Sequence, residues 1–325
     1  MLTDNLYEHV LIEPALNGNN RLCIISGYAT SAMAFNHIQK LLERNAQINI
    51  EVIVGMSVQD GISLSNHRGF QELMNQYNER FYCSYNYNEN PIHSKVYVWL
   101  NNDNPTLCFV GSANYTQFAF MGRQREAMTQ SDPNLGLSYY QSKIQNSIYC
   151  THIEANQLVV IYNDQQRTRV RVTLNNNDEQ QAEHEGSVNT IGLDHVTVSF
   201  LDNNNELPQR SGLNWGQRPE ESREPNQAYI RLPSAVYNSD FFPERRVHFT
   251  LLTDDNRVLI CSRAQENGKA IHTPHNNSLI GEYFRNRLGL PNGALVRKGD
   301  LDRYGRTDLT FYKIDNETYY LDFSA

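Results

Sequence analysis

Apolar residues change their spacing several times along the first half of the chain, and each change marks an expected element. Leu22 to Ser26 is a short apolar run closing on Gly27-Tyr28-Ala29-Thr30, which reads as a buried strand and the turn after it. From Ser31 to Asn45, Met33, Ile38, Leu41 and Leu42 recur at helical spacing, with Ser31 as the expected N-cap. Ile48 to Val54 predicts a strand, Arg68 to Phe81 a helix, and Leu137 to Ile148 a further helix. Between them the chain alternates, with His93 and Lys95 on one side and Val96, Val98 and Leu100 on the other, and Thr106 to Val110 follows as the next apolar run. Gln157 to Tyr162 and Thr168 to Leu174 read as β segments at the edge of this region. Strands alternating with helices favour an α/β sandwich with a mixed sheet.

The segment from Asn175 to Ser187 is polar, acidic and aperiodic, and is expected to be a linker, or else a long surface loop. It separates a first domain at residues 1–174 from a second at 188–325. Beyond it the pattern is mainly β: Val196 to Leu201, Ala228 to Leu232, Arg246 to Leu252, Val258 to Ser262 and Leu309 to Ile314. One helix is expected, Leu279 to Leu288, ended by Gly289, with Arg285 and Arg287 read as its exposed face.

A chain of 325 residues can hold two such domains, each with its own core. Five cysteines (Cys23, Cys83, Cys108, Cys150, Cys261) lack paired spacing, which argues against a zinc site and a disulfide framework. No apolar run is long enough to span a membrane, and the first residues lack the basic flank and apolar core of a signal peptide. A cytoplasmic location without membrane contact is expected. The net charge of −8 argues against indiscriminate binding of polyanions. Neither half is basic: 12 lysines and arginines face 18 acidic residues before position 188, and 16 face 18 after it. Any nucleic-acid binding must therefore use local clusters.

The candidate chemistry lies at Ile92-His93-Ser94-Lys95 and at Gly111-Ser112-Ala113-Asn114. Side chains two apart on a strand share a face, so His93 and Lys95 would put a nucleophile beside a fixed cation. That pairing suits attack on a phosphate anion. Alone, His-x-Lys is more often a solvated strand face. The Gly-Ser-x-Asn at the end of the next apolar run reverses that reading. Glu126, by itself, reads equally as an ordinary surface carboxylate.

Together these residues resemble the phospholipase D superfamily, whose signature is His-x-Lys followed downstream by Gly-Ser-x-Asn. Glu126 falls about where that superfamily places an acidic or amide partner. The superfamily's usual Asp falls on Leu100, a loss shared with the BfiI and NgoFVII types of restriction endonuclease, so the resemblance points to nucleases rather than lipases. It implies a metal-independent displacement in which neutral His93 attacks phosphorus and a second histidine protonates the leaving oxygen. Lys95 and Asn114 would donate to the non-bridging oxygens, Ser112 would add a donor, and Glu126 would accept a ring N–H of a histidine. One motif copy supplies half of the superfamily's two-copy site, so the resemblance implies a homodimer.

Ser211-Gly-Leu-Asn-Trp-Gly-Gln-Arg218, Glu282-Tyr-Phe-Arg-Asn-Arg-Leu-Gly289 and Tyr304-Gly-Arg306 resemble the B3-like DNA-binding pseudobarrel at the C-terminus of NgoFVII-type enzymes. The implied fold is thus an α/β phospholipase D-like sandwich followed by a mainly-β B3-like pseudobarrel. Two arms would grip double-stranded DNA, one at Gln209 to Glu224 and one at Arg263 to His275. Candidate contacts are Arg210, Asn214, Gln217, Arg218 and Arg223, then Arg263, Gln265, Lys269, His272 and Thr273. Trp215 reads as packing at the base of the first arm or as a base contact. Asn267-Gly268-Lys269 is a poor fragment of a phosphate-binding loop, so ATP and Mg²⁺, if used, are expected on a separate ATPase subunit, beside a cognate methyltransferase. A stand-alone, ATP-independent enzyme of the BfiI kind is the alternative. Two other classes stay open, a hydrolase of phospholipids or small phosphodiesters and a non-catalytic DNA-binding protein.

Overall fold

A computed structural model of the chain describes residues 1–87, 90–122, 125–162, 190–245, 247–274 and 276–325. It divides into two compact units, Met1–Asn163 and Asp164–Ala325. The expected linker at 175–187 and the β segment Thr168 to Leu174 lie outside the described residues.

The first unit carries β1 (Arg21–Ser26), β2 (Asn49–Val54), β3 (Ile62–Ser63), β4 (Phe81–Asn86), β5 (Val96–Asn101), β6 (Asn104–Gly111), β7 (Met128–Ser131), β8 (Ser147–Tyr149) and β9 (Ile161–Tyr162). Seven of them form one sheet in the order β7-β6-β5-β1-β2-β4-β8. β1, β2 and β4 run parallel, while β5, β6 and β7 follow antiparallel on one side and β8 on the other. Apolar side chains fill both faces of the central strands, as a sheet covered on both sides requires. On one face Cys23, Ile25, Val98 and Cys108 pack with Tyr140 of the helix Pro133–Ile144. The opposite face lies under the helix Ser31–Glu43 and the turns Tyr7–Ile12. There the Trp99 ring N–H donates to the Val10 carbonyl at 2.8 Å.

Three helix boundaries depart from the sequence expectation, each because a capping side chain outranks the periodicity. Thr30, not Ser31, caps the helix Ser31–Glu43 by accepting from the Met33 N–H. Ser63 caps a helix at Leu64–Gln76, so that Phe81 opens β4 instead of ending the helix. Asp132 accepts from the N–H groups of Asn134 and Leu135, starts the helix at Pro133, and leaves Ile148 in β8. Gln157 and Leu158 belong to a helical turn, and only Ile161–Tyr162 of the expected edge segment is strand.

The second unit holds β10 (His195–Ser199), β11 (Ile230–Arg231), β12 (His248–Thr253), β13 (Val258–Ala264), β14 (Ala270–His272), β15 (Asp308–Lys313) and β16 (Thr318–Asp322). Their order is β10-β15-β16-β12-β13-β14-β11, antiparallel except for the central β12–β16 pair. The sheet curls into a nearly closed barrel around Phe249, Leu251, Cys261, Ile271, Leu309, Phe311, Tyr319 and Leu321. The helix Ser278–Arg287 ends where Gly289 takes φ +67°. Its N–H bonds to the Asn286 carbonyl and that of Leu290 to the Arg285 carbonyl, a Schellman closure. β14, β16 and a second helix, Lys298–Tyr304, were not expected from the pattern.

Arg285 and Arg287 are not an exposed face. Arg285 is 0 % exposed and donates to the carbonyls of Ala294, Gly281, Leu213 and Pro225. Arg287 pairs with Asp254 and Asp255 and donates to the Tyr304 hydroxyl and the Phe323 carbonyl. Both guanidiniums tie loops to the barrel, and their charges are unavailable at the surface.

Candidate active site and DNA-contact arms

His93 lies in the extended segment just before β5, not within the strand. What holds it is a close backbone crossing. The Ile92 N–H donates to the Gly55 carbonyl at 2.9 Å, and a Cβ on Gly55 would fall 2.1 Å from the Ile92 carbonyl oxygen. Only glycine permits that approach. Asn86 adds a bond from its amide to the Gly55 carbonyl, and Ser94 meets the Tyr139 hydroxyl at 3.0 Å. The residues on either side of His93 are thereby fixed, while its ring stays exposed.

Lys95 Nζ stands 3.2 Å from the ring nitrogens of His93 and donates to the His93 carbonyl at 2.7 Å. A lysine Nζ this close to both ring nitrogens sets a fixed cation directly beside the imidazole. Lys95 is 7 % exposed, and burial lowers its pKa from the usual lysine value, with the nearby Glu126 charge opposing that shift.

Asn114 joins from the loop after β6. A methyl placed on Gly27 would lie 3.2 Å from His93 Cδ2 and 3.4 Å from Asn114 Oδ1, so both side chains border the same point. Asn114 Oδ1 accepts from the Tyr28 N–H at 3.1 Å, which fixes the amide with its Nδ2 as the remaining donor. The Ser26 hydroxyl donates to the Tyr28 carbonyl and accepts from the Tyr115 N–H, locking the turn after β1 to the Asn114 loop. The Tyr28 ring stands edge-on to His93 at 6.1 Å, its hydroxyl held by Asp60. Ser26 and Tyr28 were read from the sequence only as the end of a strand and its turn. Their role comes from chain crossings that no local pattern announces.

Ser112 and Glu126 also meet, but with each other. The Ser112 hydroxyl donates to the Glu126 carboxylate and accepts from the Ala127 N–H at 3.0 Å. Glu126 is 7 % exposed and accepts from the Ser112 hydroxyl. The structure thus gathers His93, Lys95 and Asn114 around one point, with Ser112 and Glu126 as a second pair coupled to Lys95 by charge.

The two arms divide their candidates between surface and scaffold. In the first, Asn214 is 0 % exposed and its amide is spent on Pro208 and Val296, so it is removed from the set of base readers. Gln217 donates to the carbonyls of Pro225 and Gly293. Arg210, Arg218 and Arg223 reach the surface, and Arg223 lies 4.0 Å above the Trp215 ring. Trp215 is a half-buried platform under that guanidinium.

The second arm is the β13–β14 hairpin. Arg263 fills its turn, bonding the carbonyls of Gly268, Asn267 and Tyr237. His272 bonds Asn277 and Ser262, and the buried Thr273 donates to the Asn276 carbonyl. These three hold the hairpin in shape, whereas Gln265 and Lys269 stand exposed at its tip. His275, the last residue of the expected arm, lies outside the described residues. The first arm enters β11 at the end next to His272, and the hairpin tip lies at the other end, where the Leu232 N–H bonds the Lys269 carbonyl.

Comparison with known proteins bears on both units. Residues 4–157 match the model of the NgoFVII restriction endonuclease N-terminal phospholipase D domain, and residues 188–315 that of the NgoFVII C-terminal B3-like DNA-binding domain. No curated protein sequence matches significantly. Among solved structures, NucT from Helicobacter pylori is similar at 18 % identity and a TM-score of 0.30, over 43 % of this chain and 87 % of NucT. Polyphosphate kinase from Porphyromonas gingivalis gives 14 % and 0.33, over 47 % of this chain and 25 % of the kinase. The two NgoFVII models follow one another in the order of the two units and between them take in most of the chain, which therefore belongs to the NgoFVII family of restriction endonucleases, with a phospholipase D nuclease domain followed by a B3-like DNA-binding domain.

Proposed function

We propose that the chain cuts double-stranded DNA through a covalent phosphohistidine, without a metal, at a site completed by a second copy of itself. The observation that carries this reading is the His93 ring held beside the buried Lys95, with Asn114 bordering the same point. In the first step a His93 ring nitrogen forms a bond to phosphorus as the bond from phosphorus to one sugar oxygen breaks. The departing oxygen takes a proton from His93 of the partner subunit. In the second step water attacks phosphorus, gives its proton to that histidine and releases His93. Lys95 and Asn114 donate to the non-bridging oxygens, whose charge rises in each transition state. A two-fold axis through the site brings two identical half-sites face to face.

The arms around the β11–β14 pair would select the site, Arg210, Arg218 and Arg223 from one end and Gln265 and Lys269 from the other. Arginine and lysine suit guanine edges and phosphates, glutamine suits adenine. A separate ATPase subunit supplies any ATP and Mg²⁺ dependence, and a cognate methyltransferase protects the host.

Cleavage of varied plasmid DNA in excess EDTA, wild type beside His93→Ala, tests the chemistry. Cutting that survives the chelator and vanishes in the variant is the expected result. Cutting that requires added metal, or that His93→Ala retains, would overturn the mechanism. Sedimentation of the active species tests the dimer, and adding the ATPase subunit with Mg²⁺ and ATP tests the partnership.

A further inference from the structure

Each surface arginine of the first arm already has an anion. Arg210 pairs with Glu220. Arg218 reaches Glu221 at 3.1 Å and places its other nitrogens on the Arg210 carbonyl at 2.9 and 3.1 Å. Arg223 also pairs with Glu221, at 2.5 Å, while lying over Trp215. One short turn, Pro219–Glu221, presents both carboxylates to three guanidiniums. The second arm is different. At the hairpin tip the Lys269 side chain, next to Ala270 that pairs with Arg231, has no ion-pair or hydrogen-bond partner among the described residues.

We propose that Glu220 and Glu221 are specificity determinants: they hold Arg210, Arg218 and Arg223 in a closed arm that DNA must open by replacing both carboxylates. The inference rests on the reading that this arm meets DNA. A carboxylate offers an arginine the same planar pair of acceptors as a phosphate or the edge of a guanine. A duplex of the wrong sequence can meet the free cation at the second arm with phosphates, as any duplex can. It gains little by opening the first arm, because each bond to DNA there is set against a bond to Glu220 or Glu221. Only a sequence that places acceptors opposite all three arginines makes the exchange favourable. A single exposed ion pair is weak. Here Glu221 is shared by two arginines, one of them stacked and the other bound to backbone, so the contacts open together. The same arrangement answers the charge problem of an acidic protein that must find one site, since the arginines are screened from polyanions until the right one arrives.

The test uses the full-length protein and a short duplex of arbitrary fixed sequence at physiological salt. Glu220→Gln with Glu221→Gln should bind that duplex about tenfold more tightly than wild type. Selection from a randomised duplex pool should then return a weaker consensus. Glu206→Gln, at an exposed acid of the same unit with no arginine partner among the described residues, should change neither. Arg218→Ala with Arg223→Ala should lose binding to the selected sequence. No gain from the paired glutamines, with binding still lost in the arginine variant, would overturn the closed arm and leave the arm's contact with DNA standing. An equal gain from Glu206→Gln would reduce the effect to general repulsion and overturn it too. If the arginine variant binds as wild type, the arm does not meet DNA and the underlying reading fails instead.

Discussion

Lys95 is a cation that the fold keeps from water and then compensates from one side. Burial weakens its hold on the proton and the Glu126 carboxylate restores part of it. The proposed mechanism uses the ammonium, so activity should fall on the alkaline side below the usual lysine range. Glu126→Gln removes the opposing charge, so Lys95 loses its proton at still lower pH and the alkaline limb moves to lower pH. Above the shifted value, single-turnover cleavage should drop roughly tenfold per pH unit. Ser112→Ala breaks the hydrogen bond to Glu126 without removing its charge, and should leave that limb where it is. A pH–rate profile of the three proteins checks this, and an alkaline limb common to all would refute the coupling. The gathering of His93, Lys95 and Asn114 was legible in the sequence because His-x-Lys and Gly-Ser-x-Asn are local spacings. Ser26 and Tyr28 were not, because they meet Asn114 across separate strands. Asn214 was misread because a buried amide bonded to backbone looks, in sequence, like any exposed asparagine in an arm.

At the scale of elements, most strands and all four expected helices could be read, and the errors follow a pattern. Helix starts were misplaced by one to four residues wherever Thr30, Ser63 or Asp132 caps from outside the apolar period. β14 is three residues long and β16 mixes tyrosines with polar ends, so neither gives a clean alternation. The helix Ser278–Arg287 was found, but its charged face was assigned to solvent. Arg285 instead supplies donors to four carbonyls that have no other reason to converge. Arg285→Met should destabilise the second unit by about 3–5 kcal/mol, since it leaves buried acceptors without donors. Arg285→Lys should rescue little of it, because one ammonium cannot span the fork. Denaturant unfolding followed in the second unit is the check, and a loss below about 1 kcal/mol would show the carbonyls are satisfied another way.

For the whole molecule, two separately built units predict separable defects. His93→Ala should abolish cleavage, a fall of at least about a thousandfold, and leave duplex binding within about twofold of wild type. Lys269→Ala should weaken binding several-fold and leave the rate of the bound complex unchanged. Binding by mobility shift and single-turnover cleavage at saturating protein separate the two quantities. Either variant failing both assays while still folded would show that the units do not divide the work in this way. The acidic balance of the chain was visible at once, yet only the structure shows where its few surface arginines are already paired.

The position of β16 has a consequence for the order in which the chain matures. It follows every other labelled strand in chain order, yet it lies inside the sheet, between β15 and β12. Its partner β12 ends at Thr253 and must wait, one edge unpaired, until the ribosome has produced Asp322. Folding of the first unit can begin while the second is still being synthesised, because domains fold as units from the N-terminus. The nuclease domain therefore precedes the DNA-binding domain: for the time it takes to translate the second unit, the growing chain carries a phospholipase D domain without a closed B3-like barrel. If cutting requires two copies, as proposed, that interval is safe as long as nascent chains remain apart.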